Sequence, residues 1–122
     1  MIAVGVGCRR GTQAGAIEFL IRQALSQIPA GQSALFSIED KIGEAGLIEA
    51  ARRLDLALTF LTRDALRAQA RGVQTLSARA EAEFGVSSVA EAAALAGAGA
   101  GAALIVPRIA RQGVTCAVAA GS

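Results

Sequence analysis

Ile2-Ala3-Val4-Gly5-Val6-Gly7-Cys8-Arg9-Arg10-Gly11-Thr12 is the stretch on which the fold turns. Ile2 to Val6 is a short apolar run of strand composition. It breaks at once into a turn rich in glycine and arginine, and an amphipathic helix follows. Strand, turn and helix start, in that order, open an α/β unit and outline an anion site. Glycines let backbone N–H groups approach a ligand closely, and a helix N-terminus carries about half a positive charge. Arg9 and Arg10 add planar, bidentate donors suited to carboxylate or phosphate.

The pattern of strand followed by helix then repeats. Ala14, Ile17, Ile21, Ala24 and Ile28 recur at helical steps, with Thr12 predicted as N-cap and Pro29-Ala30-Gly31 as the stop. Ser33–Ile38 reads as a second strand. A charged exit through Glu39, Asp40, Lys41 and Glu44 leads to a helix carrying Leu47, Ile48, Ala51 and Leu54 on one face. Leu56–Leu61 is a third strand, Thr62 opens a helix running to about Arg71, and Ser77–Phe84 is a further short helix. Ser88-Val89-Ala90-Glu91 fits the capping box and starts another helix. Ala102–Val106 and Val114–Ala119 are the last strands, joined by a turn over Pro107–Gly113. That connection is too short for a crossover, so the pair is an antiparallel hairpin. The expected fold is a three-layer α/β/α domain over residues 1–122, its sheet mixed, mostly parallel and of about five strands. The first strand is expected to lie centrally, with the hairpin to one side.

Composition removes several classes of function. The 122 residues are 53% hydrophobic, which excludes general disorder and allows one buried core. Twelve basic and ten acidic residues give a net charge of +2, too balanced for binding nucleic acid through phosphate neutralisation. Four phenylalanines are the only aromatics, so a stacking platform for single strands is also missing. There is no histidine, and Cys8 and Cys116 alone fall short of a zinc ligand set. No metal or cofactor is therefore expected. The uncharged stretch 92–107 is too short to span a bilayer and is split by Gly97, Gly99 and Gly101. No basic residue precedes the opening apolar run, so it does not read as a signal peptide, and a cytoplasmic protein is expected.

In open α/β sheets ligands bind beyond the carboxyl ends of the strands. That rule brings together Gly7–Thr12, Glu39–Glu44, Leu61–Asp64 and, if the fourth strand runs parallel to the first, Pro107–Arg111. Arg9, Arg10, Lys41, Arg108 and Arg111 then outnumber Glu39 and Glu44, which favours a ligand with several negative groups. Two familiar phosphate motifs are absent: no Gly-Lys pair exists for a P-loop, and Arg10 stands where the dinucleotide fingerprint needs its third glycine. Each candidate also has a plain structural reading. Gly5 and Gly7 can serve close helix packing, the arginines can be a solvated pair, and Ser88 and Glu91 can be capping groups. Cys8 is either a small core hydrophobe or, beside a helix dipole and two arginines, a thiolate.

Taken together, the segments resemble a known family. Gly5-Val6-Gly7-Cys8-Arg9-Arg10-Gly11-Thr12 closely resembles the GxGCRRGT opening of the CobE proteins and of the C-terminal domain of CbiG, from cobalamin biosynthesis. Ser37-Ile38 through Lys41 and Glu44 to Gly46-Leu47 is similar to the same family, as is Gly85-Val86 with Ser88–Ala94. Arg108, after Val106-Pro107, stands where that family tends to have lysine. The resemblance spans essentially the whole chain and implies a role in building the corrin ring, with a precorrin-type tetrapyrrole as ligand. The residues expected to meet it are Gly5, Gly7, Cys8, Arg9, Arg10, Gly11, Thr12, Lys41, Glu44, Ser88, Glu91 and Arg108. The CbiG protein opens a lactone on a cobalt-precorrin, but this chain matches only its C-terminal domain. A hydrolase using Cys8, or water activated by Glu39 or Glu44, is therefore the alternative. So is a docking subunit meeting other pathway enzymes through alanine-rich helix faces, and a homodimer is compatible with each reading.

Overall fold

In the computed structural model, which describes residues 2–121, the opening apolar run is the central strand β1 (Ile2–Cys8). Helix α1 (Ala14–Leu25) leads to β2 (Ser33–Ile38), and a 3-10 turn (Glu39–Lys41) to α2 (Ala45–Leu54). Next come β3 (Leu58–Leu61), α3 (Arg63–Arg67), a second 3-10 turn (Ala70–Gly72), α4 (Ala78–Phe84) and α5 (Val89–Ala98). The chain closes with β4 (Ala103–Arg111) and β5 (Val114–Ala120). The sheet order is β3-β2-β1-β5-β4. β1, β2 and β3 are parallel, and β5 is antiparallel to both β1 and β4. β4 therefore runs in the direction of β1, which is the condition for its end to join the common edge.

Alternation along β1 feeds two separate cores. Val4, Val6 and Cys8 face α1 and α2, where they meet Ile17, Leu20, Ile21, Leu47 and Ala50. Ala3 and Gly5 face the other layer, formed by α3 and α5. α5 has seven consecutive buried residues, Val89 to Leu95, because it is apolar on nearly every side. Its alanines allow an unusually close seat on the sheet. A Cβ built on Gly5 would lie 1.8 Å from the Ala90 carbonyl oxygen, so only glycine fits where the helix crosses β1.

Several element bounds differ from expectation, each for a local reason. Thr12 does not cap α1: its hydroxyl donates to the Arg9 carbonyl at 2.6 Å, and Gln13 occupies the cap without a side-chain bond. The helix opened by Thr62 ends at Arg67 and continues only as the turn at Ala70–Gly72. The largest difference is in the hairpin. β4 continues to Arg111, so the expected turn over Pro107–Gly113 shrinks to Gln112-Gly113. Both turn residues have positive φ, 51° and 81°, as a two-residue type I′ turn requires. Pro107 is tolerated inside β4 because this is an edge strand and Pro107 sits at a bulge.

Candidate functional site

A cleft of about 730 Å³ opens at the carboxyl end of the sheet. One wall is the end of β1 with the loop after it. The opposite wall is α4 and the start of α5, and the end of β4 with the hairpin turn closes a third side. Gly7, Cys8, Arg9, Arg10, Lys41, Ser88 and Arg108, all expected from the sequence, line it. The remaining expected residues lie elsewhere. Gly5 is beneath α5, Gly11, Thr12 and Glu44 are behind the arginine loop, and Glu91 is in the core.

The loop that carries the arginines is held from three directions. The Arg9 N–H donates to the Gly113 carbonyl at 2.9 Å, tying the loop to the hairpin turn. The Thr12 hydroxyl closes it onto the Arg9 carbonyl, and the Gly11 N–H donates to Glu44 Oε1 at 2.9 Å. Glu44 is thus a brace for the loop. Such fixing sets the backbone from which the exposed Arg9 and Arg10 side chains project.

Charge pairing divides the cations into two groups. Among the described residues Arg22, Arg52, Arg53, Arg63 and Arg67 form salt bridges, and none of these five lines the cleft. Arg9, Arg10, Lys41, Arg71, Arg79, Arg108 and Arg111 form none, and all but Arg71 line it. Glu83 is the one acidic residue on its walls among those described. Two of these cations are partly engaged by aromatic rings. Lys41 Nζ lies 5.8 Å from the Phe84 ring, and the Arg111 guanidinium stacks 4.2 Å over Phe19 on α1. Arg111 is thereby drawn to the other face of the sheet and contributes little charge to the cleft.

Ser77, Arg79, Ser87, Gln112 and Thr115 add to the polar lining and were not expected from the sequence. Arg79 stands four residues before Glu83 on α4, a spacing that reads as a helical ion pair, yet no bridge forms between them. α4 itself has no buried residue. Its ends are held by the Ser77 cap on the Ala80 N–H and by Arg63, which donates to the Glu83 carbonyl and pairs with Asp40.

The chemistry of the candidate catalytic groups is plain. Burial raises the Cys8 thiol above its ordinary pKa; Lys41 pulls it down by less, and Glu44 pushes it up. Its side chain packs with Val114 and Cys116 in the α1/α2 core while also lining the cleft, surroundings that favour the thiol over the thiolate. Glu39 is exposed and does not line the cleft. Glu91 is completely buried and accepts four hydrogen bonds. Burial pushes its carboxyl pKa up, but the bonds from Arg108, Thr75 and Gln74 outweigh it and hold the group below the usual range. It does not complete the capping box; Ser88 Oγ alone does the capping, on the Glu91 N–H at 3.1 Å. Of the alanine-rich helix faces expected to dock partners, that of α5 is internal, since Ala90, Ala92, Ala93 and Ala94 are fully buried, whereas Ala78 and Ala82 of α4 are exposed.

Known proteins share both the sequence pattern and the fold. The family described as cobalamin synthesis G C-terminus matches residues 2–119. The chain belongs to that family. It is accordingly a member of a cobalamin-biosynthesis family, and its relatives agree. Protein CobE of Sinorhizobium sp is 31% identical over 121 residues, covering 97% of this chain and 79% of that protein. The solved structure of CobE, a protein from the cobalamin (vitamin B12) biosynthetic pathway, superposes with a TM-score of 0.86 at 36% identity, over 98% of this chain and 89% of that one. The cobalamin biosynthesis protein chiG from Agrobacterium tumefaciens str. C58 gives 0.73 at 35% identity, over 100% and 99%. The α/β fold of this cobalamin-synthesis domain is thus shared with proteins named for that pathway. Among its described residues no helix is long and apolar enough to cross a membrane.

Proposed function

We propose that this protein binds a precorrin-type tetrapyrrole in the cytosol and holds or carries it while the corrin ring is built. The observation that supports this most is the segregation of charge. Among the described residues, five cations without a salt bridge, Arg9, Arg10, Lys41, Arg79 and Arg108, gather on one cleft that has a single acidic residue. Precorrins are broad macrocycles fringed by acetate and propionate carboxylates, and such a fringe neutralises separated cations at once. A charge-assisted hydrogen bond contributes ~1.5–3 kcal/mol when sheltered. Four of them at the top of that range total ~12 kcal/mol, and an association cost of about 4 kcal/mol leaves about −8 kcal/mol, a micromolar complex. The cleft volume also falls within the usual span of small-molecule sites.

Binding fits the site better than hydrolysis. Glu44 is committed to the Gly11 N–H, Glu39 stands outside the cleft, and burial keeps Cys8 a thiol. The test is a fluorescence titration with uroporphyrin, a soluble macrocycle bearing acetate and propionate on every pyrrole. Arg9→Ala with Arg10→Ala should weaken binding at least tenfold and leave the thermal midpoint nearly unchanged, since both side chains are exposed. Wild-type affinity in the double variant refutes the site.

A further inference from the structure

We propose that Glu91 is a positioning residue for the cleft: it accepts the Arg108 N–H and so holds the β4 bulge that turns Arg108 toward the ligand. This rests on the reading of the cleft as a polycarboxylate site. Strand register sets the geometry. Val106 pairs with Val118 and Ile109 with Cys116, so three steps along β4 face two along β5. One extra residue in a strand reverses the alternation of faces beyond it. Val106 and Ile109, three apart, accordingly both pack in the α1/α2 layer. Arg108, which in a regular strand would share the face of Val106, instead lines the cleft with Ala110. A first irregularity, between Leu104 and Val106, already moves β4 from the α5 layer to the α1/α2 layer, and with it in place the loss of the second would leave the Arg108 guanidinium on the wrong side of the sheet.

A bulge needs something to satisfy the backbone it releases. Pro107 has no N–H to give, and the N–H of Arg108 turns to α5, where Glu91 Oε2 accepts it at 2.9 Å. The same oxygen accepts the Thr75 hydroxyl at 2.8 Å. Oε1 accepts the N–H groups of Gln74 and Thr75 at 2.8 and 2.9 Å. An acceptor-only group with two oxygens matches four converging donors. Glu91 is 0% exposed, so the carboxylate is not offered to a ligand. Its partners are the backbone of Arg108 and the segment leading to Ser77 and Arg79, both of which line the cleft. One buried charge thus sets two walls of the site.

Glu91→Gln separates the two ties. An amide oxygen in place of Oε1 keeps both N–H bonds of the 74–75 segment, and the Thr75 hydroxyl can rotate to accept from the NH2. That NH2 then opposes the Arg108 N–H, donor against donor. Uroporphyrin titrations of wild type, Glu91→Gln, Arg108→Ala and the double variant form a cycle. Each single change should weaken binding ~tenfold, the loss of one charge-assisted contact. The double variant should bind within about twofold of Arg108→Ala, because Glu91 acts through that residue. Multiplying losses, or wild-type affinity in Glu91→Gln, overturns the proposal. Amide hydrogen exchange tests it without ligand: protection at Arg108 should fall in Glu91→Gln while that at Thr75 persists. Unchanged protection at Arg108 overturns it too. If wild type fails to bind uroporphyrin but exchange behaves as stated, the binding reading fails and the bulge tie survives. Should Glu91→Gln not fold, Glu91→Asp retains the charge but shortens its reach to all four donors, so exchange decides: protection at Arg108 should fall, and unchanged protection there overturns the proposal.

Discussion

Gly5→Ala is the smallest change that should do the largest damage. The new methyl would sit 1.8 Å from the Ala90 carbonyl oxygen and 2.6 Å from the Ala94 nitrogen, both backbone atoms of α5. Neither can rotate away, so relief requires moving the helix as a body. Restoring ordinary separation, which begins at 3.4 Å, means lifting α5 off the sheet by roughly 1.5 Å. A gap of even ~0.5–1 Å forfeits a quarter to a half of the dispersion attraction across it. α5 is the main element of its layer, with Val89 to Leu95 all buried, so the damage spreads over the whole second core. Overpacking alone costs about 1–3 kcal/mol. With the weakened dispersion added, a destabilisation of at least ~3 kcal/mol is expected, against a total of about 5–15 for a domain of this kind. At roughly 4 °C per kcal/mol, the thermal midpoint should fall by ~10 °C or more. Urea denaturation followed by far-UV circular dichroism measures this directly. Gly15→Ala is the matched control: nothing lies within 4 Å of its added methyl, and alanine in α1 should stabilise by up to about 0.5 kcal/mol. A Gly5→Ala variant within ~0.5 kcal/mol of wild type would refute the close-packing role of that glycine.

The titrating groups give further outcomes. Glu91 is held below its ordinary pKa in the fold, so its contribution is fully present above the unfolded carboxyl pKa and is lost as pH falls through the folded value. Acid unfolding of Glu91→Gln should therefore depend less steeply on pH, by up to one proton or ~1.4 kcal/mol per unit, and identical acid limbs would contradict this. Glu49, pulled down to about 2 chiefly by its hydrogen bond to Arg52, lies open to solvent, so salt should weaken its share and leave that of Glu91. Burial raises both thiols, so Cys8 and Cys116 should resist iodoacetamide in the native protein at about pH 8 and react on unfolding. Rapid labelling of Cys8 in the folded state, read by mass spectrometry, would restore the thiolate reading.

Much of the architecture was legible because its signals are local. The apolar run of β1, the helical stripe of α1 and the Ser88 cap each act within a few residues. The shortness of the last connection led to the antiparallel pair. The pairing of charges was only half legible. Arg22 with Glu18, Arg52 and Arg53 with Glu49, and Arg67 with Asp64 follow helical spacing, and the pairs exist. Arg63 with Asp40 is a contact between distant segments that no spacing announces. Arg79 and Glu83 show the converse, a correct spacing without a bridge. Counting helical partners in advance would nonetheless have left Arg9, Arg10 and Arg108 unpaired, which is the signal that the cleft later makes spatial.

Glu91 shows where residue-by-residue reading stops. Three residues after Ser88, with a helix following, glutamate is the expected fourth member of a capping box, and only the serine half of that motif forms. The glutamate side chain turns the other way because β4 presents it with a stray N–H, and β4 does so at the second of its two surplus residues, beside a proline. A bulge has no composition of its own. It exists as a difference in count between two strands, and that difference appears only once Val106 and Val118, then Ile109 and Cys116, are set opposite each other. The same miscount explains the misplaced turn, since a chain with Pro107 inside it reads as having left the strand. The placement of Arg108 in the cleft is therefore a property of the pairing, which no single stretch of the chain contains.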